Sequence, residues 1–462
     1  SSDVCSSDLL YPPNWIPLLA EHPEQWLWLL CWLSLAIAGT GMFALLRLAR
    51  LSVPAALFGG ITFELSGVMA ANAFFCWRLA SLCWLPWLLA ALLWLAECRG
   101  RARTAPMALF ALAFAGTWLA GFPVYASSNC LLAAGFGVLL LIARWRDEGR
   151  GAALRLFAAM SLAAVVGVLM AVPQVLPSVL FFAQSARNTT PSIEELGTLR
   201  CDPAGLLGYL APDLFGHPSR VGELPYDRSP LWLLFSQPYT NSVAPQPRYF
   251  NATEYSVYAG SLGLILALAG AVGGAGRWRR TALGFLVVLL LMALFVPGVR
   301  FVFALPVVNH VHPFRWLAPM SLFVAWLAAA GSERLRTASP RLVLAWALAA
   351  LVIAVAALAA TFLLPLQDHI GALGAKYGIQ ASAAQQYIDQ GGDRFGAADA
   401  LAEAAFQRSA LWFGIAAITL LGAALHARIR ASLPWLLCVL ALADLVPHGH
   451  GYAHGRVLQG NG

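Results

Sequence analysis

Apolar runs recur along almost the whole chain and are separated by short polar connections. The hydrocarbon core of a bilayer is about 30 Å thick, so a spanning helix needs roughly 20 mostly apolar residues. About twelve runs approach that length, and their ends are defined only to within a few residues. They cover residues 26–46, 53–74, 79–96, 105–119, 124–143, 154–182, 255–272, 281–296, 316–330, 342–364, 410–425 and 433–446. This pattern predicts an all-α fold, a polytopic integral membrane helical bundle.

The composition supports a lipid environment for these helices. The chain has 462 residues, of which 60% are hydrophobic and only 11% are charged. A water-soluble domain of this length would need less apolar material for its core. The formal net charge of +7 raises the alternative of a nucleic-acid or acidic partner, and the position of the basic residues decides between the two interpretations.

Clusters of arginine fall in every second connection between the predicted spans. They contain Arg47, Arg50, Arg99, Arg101, Arg103, Arg144, Arg146, Arg150, Arg155, Arg277, Arg279, Arg280, Arg334, Arg336, Arg341, Arg428 and Arg430. Cytoplasmic loops of membrane proteins carry an excess of Lys and Arg, so these connections are predicted to face the cytoplasm. Both long polar segments and both chain ends then lie outside a bacterial inner (cytoplasmic) membrane, and nucleic acid is not a predicted partner.

The predicted organisation alternates membrane helices with polar segments. Residues 1–9, SSDVCSSDL, lack a starting Met and resemble a translated adapter, so we expect an artefactual leader. The remaining parts are N-terminal membrane helices at 10–183, a long extracytoplasmic loop at 184–254, membrane helices at 255–364, an extracytoplasmic amphipathic segment at 365–408, the last two membrane helices at 409–447 and a truncated extracytoplasmic tail at 448–462. Residues 381–406 predict one or two short helices with a break at Gly391 and Gly392.

The chain shows no pattern typical of a metal or disulfide site. Its eight cysteines include no C-x-x-C pair, and several lie inside apolar runs, where a thiol behaves as a small hydrophobic group. His310 and His312 have no third ligand nearby, and the histidines of HGHGYAHG, from His448 onward, belong to a predicted flexible tail. No cofactor is predicted; a divalent metal stays possible without support from the sequence.

Several polar residues fall where a membrane makes them costly. Glu64 lies inside the run ITFELSGVMAANAF, where a carboxyl group either faces a substrate cavity or is capped by a neighbouring helix. Pro173 and Pro177 flank Gln174 and predict a kink or break near the outer surface, which is either a site rim or an ordinary proline kink. Arg315, at the mouth of a span, either binds a phosphate or reaches the lipid headgroups.

Eight phrases along the chain resemble the bacterial YfhO membrane-protein family. They are YPPNWI, LFGGITFELSGVMAANAFF with WLPWLLAALLWL, AVPQVLPSVLFFAQSAR, YLAPDLFG, EYSVYAGSLGLILAL, HPFRWLAPMSLFVAWLAAAGSERL and ALADLV. Members of that family resemble C-type glycosyltransferases, which use polyprenyl-phosphate-linked sugars. The resemblance implies a C-type glycosyltransferase-like fold, and transfer of a sugar from such a donor to an envelope glycopolymer or lipid acceptor at the outer face of the bilayer.

The resemblance also implies a set of site residues. The matching positions are Ser66, Gly67, Pro173, Gln174, Ser185, Arg187, Asp213, Gly216, Tyr258 and Arg315. Among these, Arg187 and Arg315 are expected to contact phosphate, together with Gln174 and Ser185 as substrate-binding candidates. The family's catalytic carboxylate is expected on a first helix and outward loop that precede YPPNWI, so Asp213, Asp202 and Glu64 are substitute candidates.

Two departures from the family pattern affect these assignments. Ser178 follows Pro177 where the family often has a Glu nearby, and Glu64 stands where a small apolar residue is usual. A transporter or flippase of a lipid-linked envelope precursor, without transferase activity, would also explain kinked helices and a cavity lined by arginine. Transporters often carry inverted repeats, and the sequence shows none. A third alternative is an assembly partner in the envelope.

Overall fold

A computed structural model describes residues 10–18, 27–73, 75–185, 189, 191–215, 239–240, 245–246, 253–273, 276–305, 307–363, 376 and 393–453, and the statements below concern these residues. The chain divides into two compact units. The first contains Ser1–Glu64, Phe75–Pro191 and Val302–Val311, and the second contains Leu65–Phe74, Ser192–Phe301 and His312–Gly462.

Helices make up almost all of the described chain. In chain order the α-helices are α1 (Trp15–Leu18), α2 (Leu27–Leu48), α3 (Val53–Glu64), α4 (Gly67–Asn72), α5 (Cys76–Leu82), α6 (Leu85–Glu97), α7 (Thr104–Leu119), α8 (Pro123–Glu148), α9 (Arg150–Gln184), α10 (Ile193–Thr198), α11 (Ser261–Val272), α12 (Arg277–Ala293), α13 (Leu317–Thr337), α14 (Pro340–Leu363), α15 (Asp393–Leu425) and α16 (Ala427–Ala453). Short 3-10 helices cover Pro12–Asn14, Gly100–Arg103, Pro203–Tyr209, Pro297–Ala304, Val308–His310 and Pro313–Trp316. A minimal hairpin pairs β1 (Tyr239–Thr240) antiparallel with β2 (Pro245–Gln246).

The described residues contain eight helices that are long and apolar enough to cross a membrane, or up to nine if α11 and α12 form one bent span. The prediction of a multi-pass helical membrane protein is therefore confirmed, but the predicted count of about twelve is not. The predicted span 53–74 is interrupted between α3 and α4, and α7 has only 16 residues. Apolar composition alone does not show where a helix breaks.

The surface of several helices is apolar in the manner expected for contact with lipid. Of the most apolar 18 residues of each helix, 28% are buried in α9 and 22% in α14. The corresponding share is 89% in Pro313–Thr337, which contains α13. Large apolar side chains such as Phe181 and Phe362 point outward from the two exposed helices. A water-soluble protein rarely exposes such continuous apolar faces. The two exposed helices therefore lie at the lipid boundary, and α13 lies in the interior of the second unit.

The sixth predicted run forms one continuous helix, so of the expected kink or break the break does not occur. Helix α9 has 35 residues and includes Pro173 and Pro177 in its interior. At about 1.5 Å per residue such a helix is roughly 50 Å long and exceeds the bilayer core. Lipid-facing helices tolerate proline where neighbouring groups satisfy the released carbonyl, so the prolines here do not end the helix.

A polar network ties three helices of the first unit together. Ser81 of α5 donates a hydrogen bond to the Thr117 carbonyl of α7 at 2.8 Å, and the Thr117 hydroxyl returns one to the Ser81 carbonyl at 2.7 Å. The Asn129 amide of α8 donates to the Ser81 carbonyl and to the Thr117 hydroxyl, each at 2.9 Å. Such bonds hold membrane helices together because lipid offers no alternative partner.

Small residues determine the closest helix contact of the second unit. A Cβ atom at Gly270 of α11 would overlap the Leu327 carbonyl oxygen of α13, and one at Gly331 would overlap the Leu266 carbonyl oxygen. Small residues at such crossings let backbones approach and increase van der Waals contact between helices. Helices α14 and α15 also pack along each other in this unit.

The second long polar segment differs in part from its prediction. Helix α15 begins at Asp393, directly after the predicted Gly-Gly break, and continues without interruption through the eleventh predicted span to Leu425. The remainder of the predicted amphipathic stretch, residues 381–392, lies outside the described residues. One long helix therefore replaces a separate amphipathic helix followed by a span.

Candidate functional site

The site begins at the interruption of the second apolar run. Helix α4 starts at Gly67, whose backbone N–H donates a hydrogen bond to the Tyr258 carbonyl at 2.6 Å. A Cβ atom at this glycine would lie 3.0 Å from the Ser256 carbonyl oxygen and 3.3 Å from Nε2 of His448. Glycine therefore allows three separate segments of the second unit to meet at one point.

A buried carboxylate forms the centre of the site. The Tyr258 hydroxyl donates to the two carboxylate oxygens of Asp444 at 2.9 and 2.8 Å, and the Ser261 backbone N–H donates to Oδ2 at 3.1 Å. The Arg408 guanidinium lies 3.2 Å from Oδ1 and also donates to the Asp444 carbonyl at 2.6 Å. Only 1% of Asp444 is exposed. These donors satisfy the buried carboxylate and connect α16 to two other segments of the second unit.

Asp213 lies at the edge of this arrangement and pairs with a buried histidine. Oδ2 of Asp213 is 3.6 Å from Nδ1 of His448, and the two side chains are 21% and 1% exposed. The His448 ring packs edge-on against the Tyr258 ring at 5.0 Å. We call Asp213, Tyr258, Arg408, Asp444 and His448 the Asp444 cluster; of its two carboxylates, Asp213 is the more exposed.

The backbone of Asp213 is in an uncommon conformation. Its φ is +65°, in the left-handed region that residues other than glycine seldom adopt. Asp and Asn are the side chains that tolerate this region best. Backbone strain of this kind concentrates at functional sites, where the surrounding structure holds it in place.

The position of His448 differs from the expected flexible tail. Helix α16 continues beyond the predicted end of the last span and reaches Ala453, so that His448 is helical and buried. The apolar pattern ended at 446 and therefore gave no reason to extend the helix. The side chains of His450 and His454 lie outside the described residues. Among the described residues no group of three or more His, Cys, Asp or Glu side chains could hold a metal ion.

Arg315 is placed beside an acidic partner. Its Nε lies 3.4 Å from Oε1 of Glu254, whose side chain is 3% exposed, whereas the Arg315 side chain is 17% exposed. The guanidinium also lies 5.8 Å from the ring centre of Phe314, which stacks on Tyr255. The buried Glu254 therefore orients the arginine and compensates part of its charge. Headgroup contact is not needed to explain this arginine.

The other acidic candidates occupy structural positions. Asp202 caps the 3-10 helix Pro203–Tyr209 by accepting a hydrogen bond from the Ala204 N–H at 2.9 Å, and it is 1% exposed. Burial lowers the pKa of the nearby Lys376, and the Asp202 carboxylate opposes that shift. Glu64 ends α3 and lies against Gly39 of α2, where any Cβ atom would overlap its carboxylate. Of the three candidate bases, Asp202 is buried, whereas Asp213 and Glu64 are both partly exposed.

The remaining predicted phosphate contacts fall in the first unit or outside the described residues. Gln174 is 5% exposed within α9, and its carbonyl accepts a hydrogen bond from the Ser178 hydroxyl at 2.7 Å. The Ser185 hydroxyl donates to the Phe182 carbonyl at 2.9 Å at the end of the same helix. Arg187 lies outside the described residues. The described structure therefore gives these serines local partners within α9.

Asp444 and Arg408 are site residues that were not predicted from the sequence. Asp444 belongs to ALADLV, and an acidic residue inside an apolar run is itself a signal of a buried partner. Arg408 lies in a different, polar segment of the sequence, so no pattern of neighbouring residues indicated that it contacts Asp444. No family model, curated protein or solved structure matches the chain.

Proposed function

We propose that the protein is a membrane glycosyltransferase that moves a sugar from a polyprenyl-phosphate-linked donor to an envelope glycopolymer or lipid acceptor on the outer face of the membrane. The observation that carries this proposal is the Asp213–His448 pair, in which a strained, partly exposed carboxylate lies against a buried histidine. The resemblance to the YfhO family independently includes Asp213, Gly67 and Tyr258, which meet at or beside this pair.

The chemistry requires a base at the acceptor and positive charge at the leaving group. The acceptor hydroxyl oxygen forms a bond to the anomeric carbon while the bond from that carbon to the phosphate oxygen breaks. Asp213 accepts the hydroxyl proton, and polyprenyl phosphate leaves with the electron pair. His448 holds the carboxylate in place, because its ring is packed against Tyr258 and cannot reach solvent.

Arg315 is the proposed phosphate contact. A guanidinium matches phosphate with a planar fork of donors, and Glu254 fixes the direction of that fork through Nε. Preorganised donors of this kind stabilise charge that develops in the transition state. Replacing Arg315 by Lys would keep the charge and remove the fork, so transfer should fall while the fold is retained.

The test compares two aspartates in one assay. Membranes containing D213N are supplied with a radiolabelled polyprenyl-phosphate sugar, and the rate of transfer to lipid and polymer fractions is measured. We expect a loss of roughly 100-fold or more, since a general base contributes about that factor. Asn tolerates a positive φ, so the backbone conformation of residue 213 is retained. Wild-type rates in D213N would disprove the assignment.

D202N is the matched control. Asn is as good an N-cap as Asp, so the substitution retains the hydrogen bond from Ala204 while removing a carboxylate from the same polar segment. Its transfer rate should stay within about twofold of the wild type, because N-cap exchange between Asp and Asn has little effect on stability. An equal loss in both variants would indicate a general effect of charge.

A transporter or flippase of a lipid-linked precursor is the second candidate. The observation that favours it is the interruption between α3 and α4, where a backbone N–H at the helix start bonds to another segment. Interrupted helices form substrate sites in many transporters. Reconstituted vesicles with fluorescent lipid-linked sugar would show translocation without transfer, and D213N would leave that translocation rate unchanged if this alternative were correct.

A further inference from the structure

Two cysteines of the first unit lie side by side in the fold, although they are far apart in sequence. Cys31 belongs to α2, and Cys76 is the first residue of α5, a helix that packs against α2. Both are thiols in the structure, and they are close enough to share a hydrogen bond. Cys31 is 6% exposed, and Cys76 is partly accessible.

The pair lies near the membrane boundary. Trp28, Trp32 and Trp77 flank the two cysteines and are all exposed, as expected for the aromatic belt at a membrane–water interface. Arg47 lies in the last turn of α2, and arginine marks the predicted cytoplasmic side. The first turn of α2, near Cys31, is therefore predicted to lie on the outer side. Cys76 likewise starts its span, whose other end leads to Arg99 and Arg101.

We propose that Cys31 and Cys76 are a redox-active pair that becomes a disulfide bond on the outer side of the membrane. Cysteine pairs form disulfide bonds in oxidising extracytoplasmic compartments, whereas the cytoplasm keeps them reduced as thiols. In the reaction an oxidised dithiol partner, a disulfide of the thiol–disulfide oxidoreductase class, is reduced to two thiols. Cys76, the accessible thiol, attacks that disulfide as the thiolate, Cys31 resolves the mixed disulfide, and the two protons pass to the reduced partner.

The disulfide would close a loop that contains α3 and α4. Helix α4 contains Gly67, whose N–H bonds to the Tyr258 carbonyl beside the Asp444 cluster. The cross-link would therefore restrict the part of the chain that holds Gly67. Closing a loop lowers the conformational entropy of the unfolded chain and thereby stabilises the folded state. The pair would thus link the redox state outside the membrane to the stability of this region.

The alternative is that both thiols serve only as small apolar packing groups. Cys83 is an example of that behaviour, because it is fully buried and donates to the Ala80 carbonyl of its own helix at 3.1 Å. Cys83 therefore provides a matched control within the same unit. It differs from the proposed pair because the structure gives it no neighbouring cysteine contact among the described hydrogen bonds.

Differential alkylation tests the proposal in the intact protein. Cells are lysed into N-ethylmaleimide and denaturant, the membranes are then reduced, and newly released thiols are labelled with a heavy maleimide. Peptide mass spectrometry then assigns each label. We expect the heavy label on Cys31 and Cys76 and the light label on Cys83. Light label on both members of the pair would overturn the proposal.

Serine variants provide a second readout. Dithiothreitol should lower the thermal midpoint of the purified wild-type protein by about 3 °C or more, since a disulfide adds stability. C31S, C76S and the double variant should show no response to reductant, whereas C83S should respond like the wild type. An equal response in C31S and the wild type would contradict the assignment of this pair.

Discussion

The Tyr258 hydroxyl donates a hydrogen bond of 2.8 Å to Oδ2 of Asp444, joining the segment before α11 to the apolar interior of α16. Arg408 of α15 balances the charge of the same carboxylate. Three parts of the second unit therefore depend on one buried acidic residue. The partly exposed Asp213 and its partner His448 lie beside this centre, so the stability of the cluster and the geometry of the proposed base are coupled.

Removing the charge of Asp444 should destabilise the second unit. In D444N the Arg408 side chain, which is 25% exposed, loses its buried counter-ion, so we expect a loss near the lower end of the range of about 3 to 5 kcal/mol for breaking one side of a buried pair. Thermal unfolding in detergent should show the loss as a lower midpoint. R408Q alone should have a similar effect, and the double variant D444N/R408Q should lose less than the sum of the two. Strict additivity would show that the two residues do not interact.

Y258F separates the hydrogen bond from the ion pair. The variant keeps the ring that packs against His448 and removes only the hydroxyl, so we expect a loss of about 1 to 2 kcal/mol, that of a bond to a charged group. A loss as large as that of D444N would contradict the charge balance described above.

G270A should weaken the contact between α11 and α13. The added methyl group would overlap the Leu327 carbonyl oxygen, which belongs to a helix backbone and has little freedom to move. Overpacking of this kind costs about 1 to 3 kcal/mol. Chemical unfolding followed by tryptophan fluorescence would measure the change in the free energy of unfolding.

G284A is the matched control for this contact. Gly284 lies in α12, and no neighbouring atom lies within 4 Å of the position of its added Cβ atom. Alanine is the better helix former by about 1 kcal/mol, so this variant should be neutral or slightly stabilised. If G270A and G284A change the free energy of unfolding by the same amount, the close approach of α11 and α13 is not the cause of the change in G270A.

Asn129 should matter more than its neighbour Ser128. N129A removes the donor that bridges Ser81 and Thr117 and should cost about 1 to 2 kcal/mol, as found for bonds between membrane helices. Within the described part of the chain Ser128 bonds inside its own helix, to the Tyr125 carbonyl at 3.0 Å, and S128A should change the unfolding midpoint much less. Unfolding in a graded denaturant series would compare the two, and equal effects would argue against the three-helix network.

The predicted orientation can be checked with a membrane-impermeant thiol reagent. Ser339 follows α13 in an arginine-rich connection, and Gly298 lies in an exposed connection with little charge. We expect S339C to react only after the cells are permeabilised, and G298C to react in intact cells. Mass spectrometry of the modified peptides would distinguish these sites from the native cysteines. The opposite labelling pattern would reverse the assigned orientation.

The membrane helices were predictable because their signal is local. A run of apolar residues needs no distant partner to indicate a helix in lipid, and each of the eight candidate spans overlaps a predicted one. The breaks were less predictable. Nothing in the apolar pattern showed that 53–74 would divide at Leu65 and Ser66, because that division depends on the backbone contact between Gly67 and Tyr258.

The site was only partly predictable. Arg315 was predicted from its place at the mouth of a span, and Asp213 and Tyr258 from the family resemblance, but the partners of all three came from distant parts of the chain. Composition, the placement of arginine and the positions of the apolar runs are properties of neighbouring residues, and the sequence by itself determined them, whereas the number of unbroken spans was not among them. Only the tertiary structure brought Asp444 to Tyr258, His448 to Asp213 and Glu254 to Arg315, because buried polar groups are satisfied by whichever segment the fold places beside them.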